Sequence, residues 1–224
     1  MTFILTSRER VKLQSGHCLF TFDDGPAGIV TDELLAVLRG FNVKACFCVI
    51  GSLVATRPEQ IRAMVDEGHF LVNHTFHHRF GDLWDVNRLQ SDLVLCDRAV
   101  SNAIGIANHP LAWFRPPFGL VTRSVREVAK KRRILPITHF GFDTLFNSDR
   151  PVGPTRWIVE DARRFEGGIY LLHDGLFNSR FSSIIRPSSD RSWVPRAMRR
   201  ILEDLSECGF KFPEPSKTLD SLAV

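Results

Sequence analysis

Two adjacent carboxylates, Asp23 and Asp24, follow the apolar run His17-Cys18-Leu19-Phe20 and precede Gly25-Pro26. The run reads as a buried strand ending in a Gly-Pro turn. Side chains at i and i+1 of a strand diverge, yet both anions sit beside an apolar core. A charge is costly there unless a cation, a metal or a hydrogen-bond network meets it. A solvated Asx turn has the same local sequence. Further along, His74 and His78 are four apart, a spacing that puts two imidazoles on one side of a helical turn. With Asp24 or Asp23 they make a His, His, carboxylate set with an open position, the ligand pattern of a catalytic zinc site. His77 competes as a ligand, since its spacing from His74 also fits one helical face.

Three more polar residues stand out by their place. Arg115 ends an apolar run and needs a partner if it is buried. Asp143 ends another run, where an aspartate also serves as a helix cap. His173 follows Ile169-Tyr170-Leu171-Leu172, and alone it would read as a satisfied core histidine.

Strand-like and helix-like stretches alternate along the chain. Strands are expected at 17–20, 43–50, 70–72, 111–114, 134–142, 169–172 and 210–212. Helices are expected from Val30 to Gly40, after a capping box at Thr56-Arg57-Pro58-Glu59, from Leu89 to Ile104, near 122–131, over 157–165 and over 194–205. Residues 176–192 read as a polar surface loop. This succession of βα units predicts an α/β fold with about seven parallel strands and outer helices. Pattern alone fits a barrel or a doubly wound open sheet. Every polar cluster named above falls at the C-terminal end of a predicted strand, the edge where chemistry collects in such folds.

Composition bounds the partners. A hydrophobic share of 44% and a charged share of 24% suit a single globular domain spanning residues 1–224. The net charge of +4 is too small to argue for nucleic acid, and Lys130-Lys131-Arg132-Arg133 sits where a helix should end and reads as a solvated cap, since cations suit a helix C-terminus. No stretch approaches a membrane span, and Met1 to Thr6 is too short for a signal peptide. Five cysteines, four within apolar runs, suit free thiols in a reducing compartment, so a cytoplasmic location is expected. Cys46 and Cys48 share one face of a strand, with no further ligands at metal spacing.

The ordered set Thr21-Phe22-Asp23-Asp24, His74-Thr75-Phe76-His77-His78, Arg115-Pro116-Pro117-Phe118-Gly119, Asp143 and Leu171-Leu172-His173 resembles the polysaccharide deacetylases, the NodB homology domain of carbohydrate esterase family 4. The resemblance runs from Cys18 to Phe212 and implies a distorted (β/α) barrel. It implies that Asp24, His74 and His78 hold a divalent metal, zinc first, with cobalt or another ion as a substitute. Asp23 would be the general base and Arg115 would keep it ionised. Phe118 would offer its backbone N–H to the oxyanion, and Leu171 would line the acetyl pocket. His173 would be the general acid, with Asp143 as its partner. The implied substrate is an N-acetylated amino sugar within an oligosaccharide or glycan precursor.

These roles agree with the chemistry of amide hydrolysis, which needs an activated water, a stabilised oxyanion and a protonated leaving amine. Two departures stand out. Phe118 occupies a position usually held by Tyr, and Asp143-Thr144-Leu145-Phe146-Asn147 lacks the second Asp and the Trp of the fourth motif. Phe146 offers apolar surface in the Trp's place. Rival readings are an O-acetyl carbohydrate esterase, which needs nearly the same site, a non-catalytic carbohydrate-binding relative, and an amidase on a non-sugar amide. Trp113, Trp157 and Trp193 read as packing, whereas Trp84, in the loop after the second motif, is the one to test for sugar stacking.

Overall fold

The computed structural model describes residues 2–3, 13–137, 139–140, 152–176 and 190–221. The elements in chain order are β1 (Thr2–Phe3), β2 (His17–Gly25), α1 (Ile29–Gly40), β3 (Cys46–Val49), α2 (Gly51–Val54), α3 (Pro58–Asp66) and β4 (Phe70–Asn73). There follow α4 (Val86–Ile104), β5 (Trp113–Phe114), β6 (Leu120–Val121), α5 (Arg123–Val128), β7 (Arg133–Ile134) and β8 (His139–Phe140). The chain closes with α6 (Val152–Phe165), β9 (Gly167–His173), α7 (Val194–Glu207) and α8 (Pro215–Ser221).

Seven strands form one sheet in the order β7-β5-β4-β3-β2-β9-β8, and each adjacent pair is parallel. The two edges, β7 and β8, are joined through residues 135–138. Five residue steps reach at most about 18 Å. A flat sheet of this size would hold its outer strands roughly 29 Å apart. The sheet must therefore curl, and it forms a distorted, incompletely closed barrel. β1 and β6 pair separately as a small antiparallel ribbon.

Alternation along the strands sorts the core into two layers. Cys18, Phe20, Phe22, Phe47, Val49, Tyr170 and Leu172 face outward and pack with Leu34, Leu38, Ile61, Ile158 and Met198 of the helices. Leu19, Cys46, Cys48, Val72, Trp113 and Ile169 form a separate cluster with Leu219 of α8. The thiols of Cys46 and Cys48 lie in that second cluster, and burial pushes Cys46 up to about 12 and Cys48 well above its ordinary value. Cys46 is a packing group, whereas the Cys48 thiol also meets the Asp23 carboxylate.

Several local expectations change. The strand expected over 134–142 is split into β7 and β8, on opposite edges of the sheet. Pro136, which has no N–H for a ladder, lies in the break. The expected strand at 210–212 is a single bridge between Lys211 and His17. The capping box does not form. Arg57 is the N-cap of α3 without a side-chain bond, and the Thr56 hydroxyl donates instead to the Leu53 carbonyl at the end of α2. Helices α2 and α8 were not expected.

Candidate active site

The two neighbouring carboxylates converge because β2 is bulged. Its register to β3 pairs Asp23 with Cys48 and then Gly25 with Val49, so Asp24 is the extra residue. Asp24 has φ 68, a left-handed conformation that aspartate tolerates better than most residues. The bulge turns a strand's usual divergence into two buried carboxylates at one edge. Gly25 and Gly175 are required by close approach. A Cβ on Gly25 would strike the Asp174 carboxylate, and one on Gly175 would strike the Asp24 carbonyl.

His74 and His78 meet by a different device from the helical turn expected. Residues 74–79 form an irregular loop in which Thr75 and His78 have φ of 65 and 51. The loop's polar groups are tied down one by one. Asn73 Oδ1 accepts from the Thr75 N–H, and Thr75 Oγ1 accepts from the His78 N–H. Asp92 of α4 accepts from the backbone N–H groups of Phe76 and His77, and also bonds the His77 ring at 2.5 Å. The Thr75 and Phe76 carbonyls accept from Gly51 and Ser52 at the start of α2. His77 is thereby committed to Asp92.

Arg115 lies 1% exposed, with its guanidinium against Asp23. Nη1 donates to Asp23 Oδ1 at 2.6 Å and to Thr21 Oγ1 at 2.8 Å, while the Thr21 hydroxyl donates to the Tyr170 carbonyl. The Arg115 carbonyl accepts from His74 Nδ1 at 2.8 Å. A carbonyl only accepts, so the proton is on Nδ1 in the neutral ring and Nε2 is left with its lone pair. That Nε2 lies 3.3 Å from Asp24 Oδ1, and His78 Nε2 lies 3.4 Å from the same oxygen. Metal bonds of about 2.0–2.1 Å set tetrahedrally hold neighbouring ligand atoms about 3.3 Å apart. Asp24, His74 and His78 thus offer three donors, mutually within 4.8 Å, at a separation that fits one small divalent ion.

Charge distribution agrees with that fit. Burial alone would raise Asp24, but the imidazoles of His78 and His74 outweigh it and hold the carboxyl well below the usual range. Burial works against a charged His74, yet Asp23 and Asp24 prevail and raise its pKa. His78 is held down to about 4 by burial, against the pull of Asp24. The pocket therefore keeps an anion and a readily deprotonated imidazole together.

His173 ends β9 directly beside Asp23, its register partner on β2, and Leu171 pairs in the same way with Thr21. Phe118 packs on the candidate ligand His78, ring to ring at 4.7 Å, in a turn where its φ is 60. Of the seven described non-glycine residues with positive φ, Asp24, Thr75, His78 and Phe118 are all here. Such concentration of backbone strain is characteristic of functional sites.

Residues 10–135 match the family described as polysaccharide deacetylase. The chain belongs to that family. Among its relatives is the peptidoglycan-N-acetylglucosamine deacetylase of Bacillus cereus. It is 29% identical over 210 residues, covering 89% of this chain and 86% of its own. The chitooligosaccharide deacetylase of a Bradyrhizobium strain is 30% identical over 202 residues, covering 85% of each chain. Among solved structures, a family 4 carbohydrate esterase from Streptomyces lividans in complex with acetate superposes with a TM-score of 0.68. It is 25% identical and covers 87% of this chain and 90% of its own.

In this family member, the expected residues Asp23, Asp24, His74, His78, Arg115, Phe118, Leu171 and His173 all lie around the C-terminal edge of the sheet. Asp143, with Phe146 and Asn147, lies outside the described residues. Two supporting carboxylates escaped the sequence reading. Asp92 is one, although its place among Leu89, Leu93 and Cys96 on the buried face of α4 was visible in the periodicity. Asp174 is the other. It is wholly buried, accepts from the Thr31 hydroxyl at 2.5 Å, and burial pushes it up to about 7.

Proposed function

We propose that the protein is a divalent-metal-dependent hydrolase that removes the acetyl group from an N-acetylated amino sugar in an oligosaccharide or glycan precursor. The observation that carries this reading is the pairing of the Asp24, His74 and His78 donor set with an Arg115-bound carboxylate, Asp23, beside it. Membership of the deacetylase family supports the same general chemistry.

Asp24, His74 and His78 would hold the ion, and their mixed nitrogen and oxygen donors suit zinc, with cobalt or another divalent ion as a substitute. A bound ion supplies Lewis acidity and brings water's ionisation near neutral pH. Asp23 Oδ1 is engaged by Arg115, so Oδ2, 4.0 Å from His74 Nε2, is the oxygen that takes the proton of the attacking water. The Phe118 N–H is assigned to the developing oxyanion. Leu171, two residues before His173 on β9, is assigned to the acetyl methyl group. His173 gives its proton to the amide nitrogen as the C–N bond breaks, so that acetate and a free amine leave. Asp143 is assigned as the partner of His173 from the resemblance of its motif. Asp23 and His173, the residues assigned as base and acid, are register partners on the adjacent strands β2 and β9.

The reading is tested by acetate release from N-acetylchitooligosaccharides and from an O-acetylated sugar ester, each with and without chelator. Release from the N-acetyl substrates that the chelator abolishes is the expected result. Release from the ester alone would make the protein an esterase. No release from either substrate, with a divalent ion bound, would overturn the reading.

A further inference from the structure

Trp84 is 49% exposed, whereas Trp113 and Trp193 are buried. Its segment is firmly held. The 3-10 turn Phe80–Trp84 plants Leu83 in a core with Leu89, Leu93, Phe114 and Leu120. The Leu83 carbonyl accepts from the Thr122 hydroxyl. On the other side, Asp85 caps α4 by accepting from the Asn87 and Arg88 N–H groups. An indole left half in water between two such anchors is not a fraying end.

Its ring is also connected to the metal-binding cluster. His78 packs on Phe118 at 4.7 Å, Phe118 on Phe80 at 5.5 Å in a T-shape, and Phe80 on Trp84 at 4.4 Å. Trp84 can lie no further from the candidate ligand than those three steps together. The ring contacts thus run without a gap from the buried His78, through the partly buried Phe118 and Phe80, to the exposed indole. Indole faces suit amphipathic partners, with apolar C–H surface on one side and hydroxyls free to meet water. A pyranose ring has that make-up, and a glycan chain whose N-acetyl group sits at the cluster must continue past the rim.

We infer that Trp84, backed by Phe80, is a stacking subsite for a pyranose ring of the same glycan chain that flanks the acetylated residue, and that it makes the protein selective for longer chains. This rests on the amino-sugar reading above. The test compares kcat/KM for N-acetylchitohexaose and for the disaccharide in wild type, Trp84→Ala and Trp84→Phe. The hexamer-to-dimer ratio falls about tenfold in Trp84→Ala and is largely restored in Trp84→Phe. A second readout needs no turnover: hexamer added to chelator-treated protein shifts the tryptophan fluorescence of wild type but not of Trp84→Ala. An unchanged ratio in Trp84→Ala, with wild type active, overturns the subsite and leaves the deacetylase reading standing. No hydrolysis by wild type at any length overturns the deacetylase reading. The fluorescence titration then decides the subsite alone, and a shift that persists in Trp84→Ala overturns it.

Discussion

His74 and Arg115 are joined by a 2.8 Å hydrogen bond from the imidazole Nδ1 to the main-chain carbonyl, while the Arg115 side chain reaches Asp23. One residue therefore orients a candidate metal ligand with its backbone and a candidate base with its guanidinium. Such outer contacts fix ligand tautomers and tune metal sites.

Arg115→Lys separates the two tasks. The carbonyl stays, so His74 keeps its orientation and metal content is unchanged. The planar fork that holds Asp23 and Thr21 together is lost, and a lysine does not replace it. We expect kcat/KM to fall about a hundredfold. Loss of the metal in this variant, read by elemental analysis, would show that the side chain also holds the ligand shell.

Asp23→Asn and His74→Ala should fail in opposite ways. Asp23 is not one of the three clustered donors, so its amide variant retains the ion and loses turnover. His74→Ala and His78→Ala each remove a donor and lose the ion itself. Metal stoichiometry measured beside acetate release distinguishes these cases. An Asp23→Asn variant that kept most of its activity would remove Asp23 from the role of base.

Asp92 would act on a bound ion through the loop that carries His74 and His78. It receives two backbone N–H groups of that loop and the His77 ring. Asp92→Ala leaves those donors without their acceptor and lets Thr75 and His78 relax from strained conformations. We expect zinc affinity, measured by competition with a chelating dye, to fall ten- to a hundredfold, as for other outer-shell changes (roughly that range). His77→Ala keeps both backbone bonds and should leave metal content unchanged. A loss there would make His77 a ligand.

How much of this was legible beforehand follows from what is local. The ends of β2, β4, β5 and β9 were visible because apolar runs stop at Asp23, His74, Arg115 and His173. Helix faces were visible because Leu89, Leu93 and Cys96 repeat with helical period. The bulge at Asp24 and the positive φ at Thr75 and His78 were not, because no glycine marks them and only distant partners hold them. The separation of β7 from β8 depends on which strands each finds across the barrel, a choice made by the whole sheet. The buried roles of Asp92 and Asp174 were readable in part, as acids placed within apolar patterns.

His69 gives a pH dependence from outside the candidate ligand set, at the opposite end of β4 from His74. It is buried, accepts the Ala45 N–H at Nδ1, and packs edge-on against Phe47. Burial holds its pKa down to about 4, against the charge of Glu67. In the unfolded chain an ordinary histidine titrates near about 6.5. The unfolded chain therefore takes up the proton first as pH falls, and the fold loses stability between those two values. Above pH of about 6.5 the contribution is constant, and by pH of about 4 the loss amounts to about 3 kcal/mol. His69→Asn places an amide oxygen where Nδ1 accepts and has nothing to protonate. Urea midpoints of wild type and variant at several pH values should converge as the solution is acidified. If the gap between them stays constant across that range, His69 is not the group that titrates.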